Sequence, residues 1–254
     1  MVGVAAGLAT CGKITFATSF AMFSTGRAYE QVRNSVGYPK LNVKIVGSHA
    51  GISVGEDGAT HQCNEDLALM RTIPGMVVLN PADHYEMKAA VKAAIEHYGP
   101  VYIRLGRLPV ESFNNSDDYR FEIGKGITLR DGKDVTVVAT GLMVSRALQA
   151  VKSLEEQGID ARLIDIHTLK PIDRELILKA AKETGKIVTV EEHNVIGGLG
   201  DAVCGVLCEE FPARVVKIGV NDEFGHSGPA NDLLEDYGLC ASHIEETVKR
   251  VLKG

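Results

Sequence analysis

The stretch DVTVVATGLMVSRALQAVKSLEEQG, residues 134–158, decides the fold. It opens on a continuous β-branched run, the pattern of a strand buried on both faces. Leu142, Ala147, Leu148, Val151 and Leu154 then recur at near-helical spacing, and Gly158 stands where a helix end calls for a left-handed residue. The alternation repeats downstream. IDARLIDIH (159–167) reads as a strand, Asp173 is placed to cap the helix RELILKAAKET (174–184), Gly185 closes it, and KIVTVEEH (186–193) is the next strand. GGLG (197–200) leads into a helix ending near Glu210, followed by the strand ARVVKIGV (213–220) and a last helix opened by a capping box, Ser242 with Glu245. Strand and helix in strict alternation imply a parallel sheet.

The first half reads similarly. Strands are expected at KITFA (13–17), LNVKIVG (41–47), GMVVLN (75–80) and PVYIRL (100–105), with helices near 20–35, 65–73 and 83–97. Asp83 with Glu86 forms another capping box. The polar, turn-rich stretch between the halves holds the linker. The fold class is therefore α/β with two domains, each a mainly parallel sheet flanked by helices: 1–115, a linker over 116–133, and 134–254. The apolar opening (1–23) is interrupted by Lys13 and lacks a cationic leader, so it reads as a buried helix and strand rather than a signal peptide or membrane span. Because the chain begins inside a helical pattern, the first domain is expected to lack its N-terminal strand.

With 254 residues, 45% of them hydrophobic, the chain can build two cores. A net charge of -6 offers no footprint for nucleic acid. Five cysteines without a C-x-x-C pair suit reduced thiols and a cytoplasmic location. Cys204 and Cys208, one turn apart, lack the usual zinc-ligand spacing, and GGLG lacks that of a dinucleotide fingerprint. The loop HAGISVGEDGATHQ (49–62) is different. It follows a strand and precedes a helix, where open parallel sheets place ligands. Two histidines able to exchange protons near neutrality flank two adjacent carboxylates, with glycines that permit close approach.

Residues 55–62 (GEDGATHQ), with FATSFAMFSTGRAYEQVRNS (16–35) before and ALMRTIPGMVVLNPAD (68–83) after, closely resemble the pyrimidine-binding domain of thiamine-diphosphate-dependent transketolases. EEHNVIGGLGDAV (191–203) and FGHSGPANDLLEDYGL (224–239) resemble the transketolase C-terminal domain. The resemblance spans nearly the whole chain and is especially close to the C-terminal subunit of split transketolases. It implies a two-carbon ketol transfer from a ketose phosphate to an aldose phosphate, and a place in the pentose phosphate pathway. It also implies that Phe23 stacks on the cofactor's aminopyrimidine with Phe20 lining the same pocket. His61 would handle protons at the donor sugar's oxygens and Asp57 would bond a substrate hydroxyl. His49 and Arg107 would hold the sugar phosphate.

The resemblance implies partners too. The family's magnesium and diphosphate motif is not found in this sequence, so Mg2+ and the diphosphate are expected on a separate N-terminal subunit, with self-association as a dimer or tetramer. The family glutamate that activates the cofactor falls before the position of Met1. The polypeptide as given is therefore expected to be catalytically poor, since losing a positioned acid-base group costs about 10² to 10⁴ in rate. Two alternatives stand beside this reading. One is a 1-deoxyxylulose-phosphate-synthase-like enzyme; the other is a non-catalytic module that binds the partner.

Overall fold

The computed structural model describes residues 1–114 and 119–253, so the expected boundary at 115/116 and the start of the linker lie outside the described residues. The first sheet has the order β1-β2-β4-β3-β8. Its strands β1 (Thr15–Phe20), β2 (Val43–Ser48), β3 (Val77–Leu79) and β4 (Val101–Arg104) run parallel. The fifth, β8 (Thr168–Lys170), comes from the second half and pairs antiparallel with β3. The second sheet is built from β5 (Ile127–Arg130), β6 (Val135–Ala139), β7 (Ala161–Asp165), β9 (Lys186–Asn194) and β10 (Arg214–Val220), in the order β10-β9-β6-β7-β5. All of its pairings are parallel except that of β5 with β7.

Sequence and structure agree on the main elements. The continuous apolar runs become strands β3, β4, β6 and β7, which are buried along their full length. The helices are α1 (Val2–Thr10), α2 (Tyr29–Gln31), α3 (Asp66–Thr72), α4 (His84–Glu96), α5 (Met143–Glu156), α6 (Arg174–Thr184), α7 (Leu199–Glu210), α8 (Ala230–Asp236) and α9 (Ala241–Lys253). Two caps form as the sequence suggests: Asp83 accepts from the Glu86 N–H at 3.0 Å and Asp173 from the Leu176 N–H at 3.0 Å.

Four features differ from the sequence expectation. The helix expected over 20–35 is α2 flanked by π-type turns at Met22–Arg27 and Val32–Gly37. Only one side of α1 is buried, leaving Val4 and Leu8 exposed. Part of the expected linker is strand β5. The box at Ser242 does not form, because α9 starts at Ala241 with Cys240 accepting its first backbone bond; the Ser242 hydroxyl meets the Cys240 Sγ at 3.2 Å instead.

A buried polar seam joins the halves. Arg104, at the end of β4, bonds the Asp66 carboxylate at 2.9 Å and the Glu192 backbone carbonyl at 2.7 Å. The Tyr102 hydroxyl donates to the same Asp66 oxygen at 2.6 Å. The Asn194 N–H bonds the Asn64 carbonyl at 2.7 Å, and the Asn80 N–H bonds the His167 carbonyl at 2.9 Å. Replacing Arg104 by Met would strand Asp66 as a buried charge with one remaining donor. Arg104→Met should therefore lower the unfolding free energy by about 3–5 kcal/mol in urea titrations, and a loss below about 1 kcal/mol would contradict this account.

A second buried cluster adds a pH dependence. Burial pushes the Glu86 carboxyl up to about 7 and that of Asp165 well above its ordinary value, with the Glu86 charge adding to the rise at Asp165. Tyr119 donates to Glu86. The folded chain thus keeps protons that the unfolded chain releases from about pH 4, so stability falls as pH rises from there through 7. Asp165→Asn removes one of these acids. Stability measured at stepped pH should lose a slope of about one proton, ~1.4 kcal/mol per pH unit; an unchanged slope would count against the shared cluster.

Candidate active site

All six residues singled out in the sequence lie in segments at the C-terminal ends of the parallel strands of the first sheet. Phe20 ends β1, and Phe23 follows one turn later in the π-type segment. His49 follows β2 with a positive φ of 54°, and Arg107 lies three residues beyond β4. Asp57 and His61 lie on the loop between β2 and α3. That loop is closed at its neck, where the Gly51 N–H donates to the Cys63 carbonyl at 2.9 Å.

Four rings gather in one cluster. Phe20 and Phe23 are nearly parallel, with centroids 6.1 Å apart and an interplanar angle of 8°. His49 stacks on Phe20 at 4.0 Å, and His61 presents its ring edge-on to Phe23 at 5.2 Å. All four side chains are half-buried. Thr60 Oγ1 lies 2.9 Å from His61 Nδ1, which leaves Nε2 for a ligand. A planar heterocycle fits this cluster, because a half-exposed phenyl face favours stacking. The exposed Arg27 guanidinium lies 4.6 Å from the Phe23 centroid, so such a ring must take the opposite face or displace it. His49 likewise covers one face of Phe20.

Arg107 is turned onto the loop. Its Nη1 bonds the Val54 carbonyl and lies 3.2 Å from Glu56 and 3.8 Å from Asp57. These are exposed pairs, weak enough for a dianion to displace. Among the described residues, no group of three or more histidine, cysteine, aspartate or glutamate side chains is arranged to hold a metal ion. The ring cluster of Phe20, Phe23, His49 and His61 fits the pyrimidine end of thiamine diphosphate.

The loop glycines take positive φ and are closely approached, as expected, and at two of them the approaching group belongs to the second domain. A Cβ on Gly51 (φ +87°) would stand 2.3 Å from Glu192 Oε1, and one on Gly58 (φ +73°) would stand 2.5 Å from Ser227 Oγ. They admit the second domain to the back of the loop. Glu192 Oε1 accepts from the Ser53 N–H at 2.7 Å, and Gln62 donates to the His226 carbonyl at 2.9 Å. Sequence reasoning missed Glu192 and Arg27. A signal for the first was present: two glutamates directly after VTV in a buried strand need hydrogen-bond partners, and Glu191 finds the Leu199 and Gly200 N–H groups. His193, close to Cys204 in sequence, is taken by the Asn194 carbonyl at 2.7 Å and the Ala68 N–H at 3.3 Å.

Comparison with known proteins agrees with this architecture. Residues 1–111 match the transketolase pyrimidine binding domain and residues 124–244 the transketolase C-terminal domain. The chain is 51% identical to a putative transketolase C-terminal section of Methanocaldococcus jannaschii, over 100% of this chain and 80% of that protein. It is 46% identical to a 6-deoxy-6-sulfo-D-fructose transketolase subunit of a Clostridium species, over 99% of this chain and 78% of that one. A solved split-gene transketolase, described as an inactive β4 tetramer, superposes with a TM-score of 0.93 at 56% identity, covering 99% of this chain and 80% of that one. With both matched regions on one polypeptide and relatives this similar along its whole length, the chain belongs to the transketolase family.

Proposed function

We propose that this chain is the pyrimidine-binding and sugar-gripping half of a two-polypeptide transketolase-type enzyme that moves a two-carbon ketol unit from a ketose phosphate to an aldose phosphate. The observation that carries the reading is the convergence of Phe23, His61 and His49 in one half-buried ring cluster. Thiamine diphosphate, when bound, supplies the nucleophilic carbon and the electron sink, with its diphosphate and Mg2+ held by a partner subunit.

The roles of this chain follow from its own groups. Phe23 offers a flat apolar face to the aminopyrimidine, with Phe20 and His49 as a stacked wall behind it. His61, with Nδ1 beside Thr60, is oriented to exchange a proton at a sugar oxygen through Nε2. Asp57 is nearly half exposed and can accept from a substrate hydroxyl. Arg107 and His49 grip the phosphate, whose oxygens replace Glu56 and Asp57 as partners of the guanidinium. The further assignments, to sugar phosphates of the pentose phosphate pathway, to the cytoplasm and to a dimer or tetramer, belong to the same proposal.

The test is to combine the gene-encoded chain with a diphosphate-binding transketolase subunit, thiamine diphosphate and Mg2+. Two-carbon transfer should require both polypeptides. Pyruvate decarboxylation would point to the deoxyxylulose-phosphate-synthase alternative, and a complex without any transfer to a non-catalytic module. His61→Ala should lower kcat by about 10² to 10⁴ with little change in complex formation. Arg107→Ala should raise the KM of the phosphorylated donor by about tenfold or more while leaving a non-phosphorylated donor nearly unaffected. Equal effects on both donors would remove Arg107 from the phosphate site.

A further inference from the structure

Beside His61 the seam between the two halves opens into a cavity of about 510 Å³. The turn 222–225 after β10 forms one wall, and Thr60, Asn64 and Glu65 form part of the other. Its lining carries three carboxylates, Glu65, Asp222 and Glu223, and no lysine or arginine. Partial removal from water at the cavity wall, with the nearby charge of Asp66, raises the Glu65 carboxyl above its ordinary value. The negative surface continues onto α8, where Asp236 has His226 as a distant neighbour at 3.9 Å.

Two further observations point to an occupant. Asn64 is only 7% exposed and lines the cavity, yet its Oδ1 has no hydrogen-bond partner. Leaving a buried acceptor unmet is unfavourable, and a donor group entering the cavity would satisfy it. Phe224, on the rim, is 88% exposed, and a large apolar side chain in a polar frame marks a contact surface.

We propose that this cavity is the socket for an arginine-bearing segment of the diphosphate-binding partner subunit. The carboxylates of Glu65 and Glu223 take the guanidinium, Asn64 Oδ1 accepts one of its N–H groups, and the Phe224 ring receives its flat face. The proposal rests on the two-polypeptide reading above. Arginine suits the site because its planar fork serves two acceptors at once and stacks on aromatic rings, which a lysine ammonium does less well. Position supports the partner as well: the cavity adjoins His61 through Thr60 and Gln62, so the same segment that fills it would also wall the catalytic cluster.

The test measures the dissociation constant of the gene-encoded chain and the diphosphate-binding subunit from the same genome. Wild type is compared with Glu65→Gln/Glu223→Gln, Phe224→Ala, and a control pair on exposed helix faces outside the cavity, Glu156→Gln/Glu246→Gln. The acid-neutralised variant should bind about tenfold or more weakly at low salt and lose most of its salt dependence. Phe224→Ala should lose a similar factor at all salt concentrations, and the control pair should stay within about twofold. At saturating partner, two-carbon transfer by the acid-neutralised variant should stay within about threefold of wild type, since no catalytic residue is changed. Binding of the acid-neutralised variant within about twofold of wild type would overturn the socket while leaving the two-polypeptide reading intact. Failure of the wild-type chain to bind the subunit at all would overturn that reading, and the socket with it.

Discussion

Glu192 reaches both halves of the molecule at once, and the site geometry depends on that. Its backbone carbonyl accepts from Arg104 of the first sheet, while its side chain accepts from the Ser53 N–H of the histidine loop. A carboxylate removed from water needs such partners to remain buried. The loop that carries Asp57 and His61 is thus held from behind by the second domain, and in front it is left free to meet a substrate. The second sheet contributes none of the six residues proposed to act on cofactor or sugar, yet without its strand β9 the loop would have no fixed back wall.

This arrangement separates rigidity from chemistry. The seam residues Arg104, Asp66, Glu192 and His193 are almost wholly buried, whereas Asp57 and Arg107 are exposed to nearly half their side-chain surface. Pre-organised groups behind a site and adaptable ones at its face suit a ligand that arrives from outside. The exposed ion pairs of Arg107 fit the same division, because a guanidinium held by surface acids can exchange them for a phosphate at modest cost.

Much of the fold was legible in the sequence because burial on both faces leaves a simple mark. Strands β6 and β9 announced themselves as β-branched runs, and Asp83 and Asp173 marked helix starts by local chemistry. Short edge strands were not legible. β5 and β8 have four and three residues, and β8 carries no more than Thr168, Leu169 and Lys170 to signal its pairing across the domain boundary. The π-type turns around Phe23 were also invisible, since their departure from helical spacing is smaller than the noise in an apolar pattern. The proposed site residues were assigned through family resemblance, while the loop glycines showed in the sequence that a close approach is needed but not that the second domain is one of the things that approach.

The crossing of β8 has a consequence for how such a protein can be divided. Its backbone completes the first sheet beside β3, and the Lys170 ammonium ties down the carbonyls of Arg71 and Ile73 at 2.8 and 2.6 Å. A polypeptide ending between the two matched family regions would leave β3 with a bare flank of amide and carbonyl groups, an open template for unwanted strand addition. The two regions are therefore poor candidates for shuffling as separate modules: heredity can move them only as a pair.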